Sequence, residues 1–323
     1  MLESSSLMTG RRAWRVNHSQ PDLKGQVALV TGGNSGLGFQ VALGLAHRGA
    51  RLLLPVRHAE RGREAISRIK AECPTAQIIP LPLDLSSLQS VAECAAAATK
   101  YTDRLHLLVN NAGVMAPTRR KETKNGFELQ FGVNHLGHFA LTAHLRHLLE
   151  NAPGGGVVVS VASLAACKGH IQFDDLQSRY RYSPFGAYQQ SKLANLLFAM
   201  ELARRAGEQG WNVHARAAHP GWASTSIIAN GQAASLPAPL GRIEQFLGGM
   251  ILRVMGQSAA HGAEPILYAA LSPTARDGDY YGPQGHHERR GPPGPAHIPP
   301  TARKGSTAAR LWDVSERLTG TSW

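Results

Sequence analysis

A chain of 323 residues, 43% of them hydrophobic, has enough apolar material for one large α/β core and needs no second domain. Lys and Arg number 34 against 22 Asp and Glu, a formal charge of +12. The surplus gathers near the ends, in Arg11, Arg12 and Arg15 and in Arg289, Arg290, Arg303, Lys304 and Arg310; without an aromatic-basic platform it argues against specific nucleic-acid binding, and no apolar run reaches the ~18 residues of a membrane span.

From residue 23 onward, apolar strands alternate with amphipathic helices, the pattern of a doubly wound parallel sheet in a single Rossmann-type domain. Residues 1–22 read as a polar, basic arm without a signal or anchor segment. Val27 to Thr31 is the first predicted strand and Gly36 to Arg48 the first helix. Strands follow at Arg51 to Val56, Gln77 to Leu83 and Leu105 to Asn110, separated by the charged helix AERGREAISRIKAE and the Ala-rich stretch Ser87 to Lys100. FGVNHLGHFALTAHLRHLL reads as one long helix, VVVSVAS as strand five, Phe185 to Arg205 as a helix and Asn212 to Ala218 as strand six. The alternation then lapses over about 222–257, where Ile227, Ile228, Phe246, Met250 and Ile251 suit either a lid over an apolar substrate or a plain packing helix. SAAHGAEPILYAAL is a final long helix and DGDYYG a short last strand. From Pro283 to about Ala309 the Pro, Gly and basic content predicts an irregular wrap or mobile tail, and LWDVSERLTG a short closing helix.

Three widely spaced cysteines, Cys73, Cys94 and Cys167, without a CxxC motif, fit reduced thiols in a cytoplasmic protein. His135/His138 and His144/His147 have i, i+3 spacing, but no acidic or Cys partner follows at ligand distance, so no metal site is expected.

The chemistry gathers in a few motifs. TGGNSGLG joins a strand to a helix, so the turn from Gly32 through Asn34, Ser35, Gly36, Leu37 and Gly38 can bring backbone amides to a pyrophosphate at a helix N-terminus. At the end of strand two, where an acidic residue would bind the ribose of NAD, stands PVRH: Arg57, with His58 and Arg61, offers charge to the extra phosphate of NADP, which favours NADP(H) over NAD(H). Asp84, followed by Leu85, either accepts from the adenine amino group or caps the next helix. Tyr188 and Lys192 are four apart and share a helix face; a neighbouring ammonium would lower the phenol's usual pKa of ~10 and fit it for acid/base work.

TGGNSGLG, Asp84, NNAG, Asn134, Ser163, Tyr188 with Lys192, and Pro220-Gly221, in this order, resemble the short-chain dehydrogenase/reductase family from about residue 24 to 282. FDDLQSRYRYSPFGAYQQSKLANLLF is similar to its branch containing the retinol dehydrogenases and their bacterial relatives, in which an extra segment separates the serine from the tyrosine. The resemblance implies an NADP(H)-dependent oxidoreductase that interconverts a small-molecule carbonyl and alcohol. It implies that Asn110, Asn111, Ala112 and Gly113 border the cofactor and that Asn134, Ser163, Tyr188 and Lys192 form the catalytic set. Ser163 would hydrogen-bond the substrate oxygen, Tyr188 exchange a proton with it, Lys192 hold down the tyrosine pKa and bind the nicotinamide ribose, and Asn134 connect Lys192 to water. Pro220 and Gly221 would shape the turn over the nicotinamide and Thr225 bond its carboxamide. The competing reading is a non-catalytic nucleotide sensor on the same fold. A homo-oligomer is compatible with the sequence, although the extra segment would cover surface that many relatives use for dimers.

Overall fold

The computed structural model describes residues 22–222 and 257–323. Most of the basic N-terminal arm, with Arg11, Arg12 and Arg15, therefore lies outside the described residues, as does the core of the expected lid, with Thr225, Ile227, Ile228, Phe246, Met250 and Ile251.

Among the described residues eight strands build the sheet: β1 (Val27–Val30), β2 (Arg51–Val56), β3 (Ile78–Pro82), β4 (Leu107–Asn110), β5 (Gly156–Val161), β6 (Val213–Ala218), β7 (Tyr280–Pro283) and β8 (Pro293–Pro295). Their spatial order is β3-β2-β1-β4-β5-β6-β7-β8. Neighbours run parallel except β7 and β8, which are antiparallel. Side chains on a strand alternate between faces, and both faces are covered. Ala28, Val30, Leu52, Leu54, Val109 and Val159 pack with the helices α1 (Gly36–Ala46), α2 (Ala59–Glu72) and α7 (Ala259–Leu271). Val27, Leu29, Leu53, Leu108 and Val158 face α3 (Leu88–Ala98), α5 (Gly137–Glu150) and α6 (Pro184–Gln209). The order reverses at β1, between β2 and β4. At such a switch point the loops leaving adjacent strands diverge and open a crevice beyond their carboxyl ends.

Helix α6, which carries Tyr188 and Lys192, is defined by its ends. Ser183 accepts from the Gly186 amide at 3.2 Å, Pro184 supplies a preset first-turn φ, and Gly210 stops the helix in the left-handed region at φ 67°. No helix of the described residues is long and apolar enough to cross a membrane.

Two segments depart from expectation. The long helix predicted through FGVNHLGHFALTAHLRHLL is interrupted: after the single turn α4 (Leu129–Phe131), Gly132–Leu136 form a π-turn before α5. The segment after Pro283 is also more regular than predicted. Pro293 and Pro295 belong to β8, whose proline content is tolerated because β8 is the outermost strand and needs no full set of amide donors. The closing helix α8 (Gly305–Thr319) starts six residues earlier than LWDVSERLTG and packs on α6, with Leu311 and Trp312 buried.

Candidate active site

The glycine-rich turn leads from β1 into α1. Gly32 and Gly36 take left-handed φ values of 66° and 52°, where a side chain would strain the backbone. A Cβ on Gly38 would strike the Asn111 amide nitrogen and the Gly32 carbonyl, so the turn can close against β4 only without one. Ser35 is the N-cap of α1 but its side chain makes no capping bond, and no acidic residue occupies the first turn. The helix thus presents its amides and positive dipole end to an anion.

The ends of β1 and β4 are stitched together by Thr31 and Asn111. The Asn111 and Ala112 amides each donate to Thr31 Oγ1 at 2.9 Å, and Asn111 Nδ2 donates to the Thr31 carbonyl at 2.8 Å. A cleft of about 610 Å³ opens beyond them. It is lined by Gly32, Asn34, Ser35, Gly36, Leu37, Gly38, Arg57, Asp84, Leu85, Asn111, Ala112 and Gly113, whereas Asn110, also expected at the cofactor, is buried with its side-chain amide donating to Thr142 and does not line it. These residues fit a dinucleotide: a side-chain-free cradle, an unneutralised helix start and a volume in the range of ligand pockets.

Arg57, His58 and Arg61 also line the cleft, and all three are exposed. Arg57 Nε donates to His58 Nε2 at 3.1 Å. Among the described residues Asp84 is the single acidic one in the lining, and it does not cap α3; that role falls to Ser87, which accepts from the Ser90 amide. Asp84 instead accepts from the Ser86 amide and hydroxyl at 3.0 and 2.7 Å and pairs with Lys124 at 3.0 Å. Burial works to raise its pKa, but the bonds from Ser86 and Lys124 outweigh it and hold the carboxyl below its usual range.

The four expected catalytic residues converge just past Gly113. A Cβ built there would lie 3.1 Å from Asn134 Oδ1 and 3.7 Å from Lys192 Nζ. Lys192 Nζ stands 5.9 Å from the centre of the Tyr188 ring and donates to the Val161 carbonyl at 3.0 Å. Ser163 follows β5 and starts a 3-10 turn, its hydroxyl accepting from the Ala165 amide at 3.2 Å. Asn134 sits inside the π-turn. Its Oδ1 accepts from the Val114 amide at 2.8 Å, and its Nδ2 donates to the Val114 carbonyl at 3.0 Å and to Ser191 Oγ at 2.9 Å. The amide side chain is therefore committed to holding the β4 loop against α6.

The electrostatics amend one expectation. Burial pushes the Tyr188 phenol above its ordinary value, opposed by interaction with the Ser163 hydroxyl; Lys192 does not bring it down in this state. Lys192 carries the larger consequence, since burial lowers its ammonium to about 8. A lysine so placed gives up its proton far more readily than one in water.

Pro220 and Gly221 follow β6, outside the cleft lining, in a turn braced by groups that no local motif announces. His219, wholly buried, meets Glu288 Oε2 at 3.2 Å through Nε2, and its Nδ1 accepts from the Gly221 amide at 3.2 Å. Tyr280 donates to the Ser163 carbonyl at 3.2 Å. Sequence reasoning passed over Thr31, His219, Tyr280 and Glu288, and weighed His138 only as a metal ligand. The available signal was weak: Thr31 opens TGGNSGLG and His219 precedes Pro220-Gly221, while Tyr280 and Glu288 act only through distant partners.

A family model described as short chain dehydrogenase matches residues 26–235. Mouse (Mus musculus) retinol dehydrogenase 12 is 38% identical over 307 residues, covering 93% of this chain and 88% of its own. Mouse polyprenol dehydrogenase is 38% identical over 305 residues, covering 93% and 85%. Among solved structures, that of an uncharacterized protein from Mycobacterium Paratuberculosis superimposes with a TM-score of 0.76 at 35% identity, covering 96% of this chain and 98% of that one.

Proposed function

The chain belongs to the short-chain dehydrogenase family and is an oxidoreductase acting on CH–OH groups, and from that premise we propose that it is specific for NADP(H), uses Tyr188 as its general acid and base, and acts on an apolar small molecule. The observation that carries this reading is that Asn134 and Lys192 stand against Gly113, with Tyr188 beside Lys192 and Ser163 beside Tyr188, and that Gly113 lines the same cleft as Arg57, His58 and Arg61. No carboxylate stands at the end of β2 to receive a free ribose 2′-hydroxyl, and two guanidinium groups there suit a 2′-phosphate. The names of the relatives, retinol and polyprenol dehydrogenase, favour an apolar alcohol or its carbonyl counterpart.

When bound, the nicotinamide supplies or accepts the hydride. The chain's own groups handle the proton and the geometry. Ser163 Oγ would hold the substrate oxygen, and Tyr188 Oη would give that oxygen a proton as the carbonyl carbon is reduced, or take it as the alcohol is oxidised. Lys192, with its ammonium easily deprotonated, would restore the phenol's proton, and its charge would stabilise a transient phenolate once the site is closed. Gly32 to Gly38 and the start of α1 would bind the pyrophosphate.

Fluorescence titration with NADPH and NADH tests the cofactor assignment: NADPH binds about tenfold tighter or more, and Arg57→Glu reverses the preference. Equal affinities in the unaltered protein would overturn it. Tyr188→Phe is expected to lower NADPH-dependent turnover of decanal, retinal or an aromatic ketone by at least about 100-fold while NADPH affinity changes by less than about twofold. Retained turnover would remove Tyr188 as the proton donor.

A further inference from the structure

His138 lies on α5, four residues beyond Asn134, with only 2% of its surface exposed. Both ring nitrogens are engaged, and the partners determine which one holds the proton. Thr31 Oγ1 already accepts from the amides of Asn111 and Ala112, at 2.9 Å each, which fills its two lone pairs. Only its hydroxyl proton remains to offer. His138 Nε2 stands 2.8 Å away, whereas the competing acceptor, the Val109 carbonyl, is at 3.3 Å. Nε2 is therefore the acceptor, and the ring's one proton sits on Nδ1, which donates to the main-chain oxygen of Asn134 at 2.9 Å. A doubly protonated ring would lose the bond to Thr31 and place a second cation beside Lys192.

This link starts at the strand end that feeds the glycine turn and finishes in the π-turn. A π-turn carries one extra residue and shifts main-chain bonding from i+4 to i+5; here the Gly137 amide donates to the Gly132 carbonyl. A backbone so rearranged lacks the geometric insurance of a regular helix, and the imidazole supplies a cross-brace at its centre. A second strut holds the brace: Asn110 Nδ2 donates to Thr142 Oγ1 at 2.9 Å, and Thr142 donates to the His138 carbonyl at 2.7 Å.

We infer that His138 is a positioning residue of the hydride-transfer site, its neutral ring joining Thr31 to the Asn134 main-chain oxygen so that the cofactor turn and the proton-handling residues keep one spacing. The inference rests on the functional reading above for what the spacing serves, but the link itself is a property of the folded chain.

Two measurements on the full chain test it. In ¹⁵N spectra of the imidazole, His138 should be protonated at Nδ1 and bare at Nε2 at neutral pH; the opposite tautomer or a doubly protonated ring would overturn the link. Two variants then separate its halves. H138N places a donor near Nδ1 and gives up Thr31, so it should weaken NADPH binding more than it lowers kcat with decanal. H138Q reaches towards Thr31 and gives up the Asn134 oxygen, so it should lower kcat more than it weakens NADPH binding. Effects of about five- to tenfold are expected on the affected parameter, the size of one buried hydrogen bond. Variants that match the unaltered protein, or that lose both parameters equally, would overturn the positioning role. If the unaltered protein fails to bind NADPH, the proposed function falls, while the nitrogen spectrum still decides the link.

Discussion

His135 and His138 leave the same helical run and meet different neighbours. His135 Nε2 lies 2.8 Å from Ser315 Oγ, and because that hydroxyl gives its proton to the Leu311 carbonyl, the imidazole is the donor. Burial drives His135 down to about 3 and His138 to about 4, against 6.5 in the unfolded chain. Both are depressed, so across the interval from 6.5 downward the unfolded chain binds more protons than the folded one. Stability is therefore complete above pH 6.5 and falls as the pH drops, by up to about 1.4 kcal/mol per pH unit for each histidine. Urea unfolding between about pH 7 and pH 5 should show this decline, and His135→Gln should reduce its slope. An unchanged slope would place the acid sensitivity in other groups.

At the level of elements, the segment between β7 and β8 acts as a strap on the turn after β6. His287 and Glu288 adopt φ values of 51° and 56°, a conformation that costs non-glycine residues about 1–3 kcal/mol each and persists only where neighbours hold it. The holding groups are visible. Glu288 bonds His219 through one oxygen and the His297 amide through the other; the Arg289 carbonyl accepts from the Trp222 amide at 2.9 Å, and the Arg289 guanidinium covers the Trp222 ring at 4.5 Å. Glu288→Ala leaves the buried His219 nitrogen without its partner, a loss of about 1–3 kcal/mol. Hydrogen exchange should then accelerate at the Gly221 and Trp222 amides while β1 and β4 keep their protection. Uniform acceleration across the sheet would instead mark Glu288 as a general stabilising residue without a local role.

Over the whole molecule, what could be read from the sequence was what is encoded locally. β2 at Arg51–Val56 and α2 at Ala59–Glu72 have the boundaries their patterns predict, because an apolar run and a charged amphipathic stretch each declare themselves within a few residues. The glycine turn and NNAG were legible for the same reason, and they meet in one cleft. The π-turn was not, since one inserted residue barely disturbs a helical apolar pattern. β8 was hidden by prolines that signal a break everywhere except on an edge strand. The pairing of His219 with Glu288, 69 residues apart, and the bond between His138 and Thr31, 107 apart, exist only once the sheet has assembled.

The tie between Trp222 and Gln257 has a consequence for how such a scaffold diversifies. The Gln257 amide donates to the Trp222 carbonyl at 2.7 Å, and its side chain donates to the Pro220 carbonyl at 2.6 Å. The positions on either side of residues 223–256 are thus clamped to each other. Since the entropy of closing a loop grows only slowly with its length, this tie can hold the two positions together whatever length of chain joins them. Grafting the corresponding stretch of another dehydrogenase between these two residues, with substrate preference as the readout, would show whether that stretch selects the substrate.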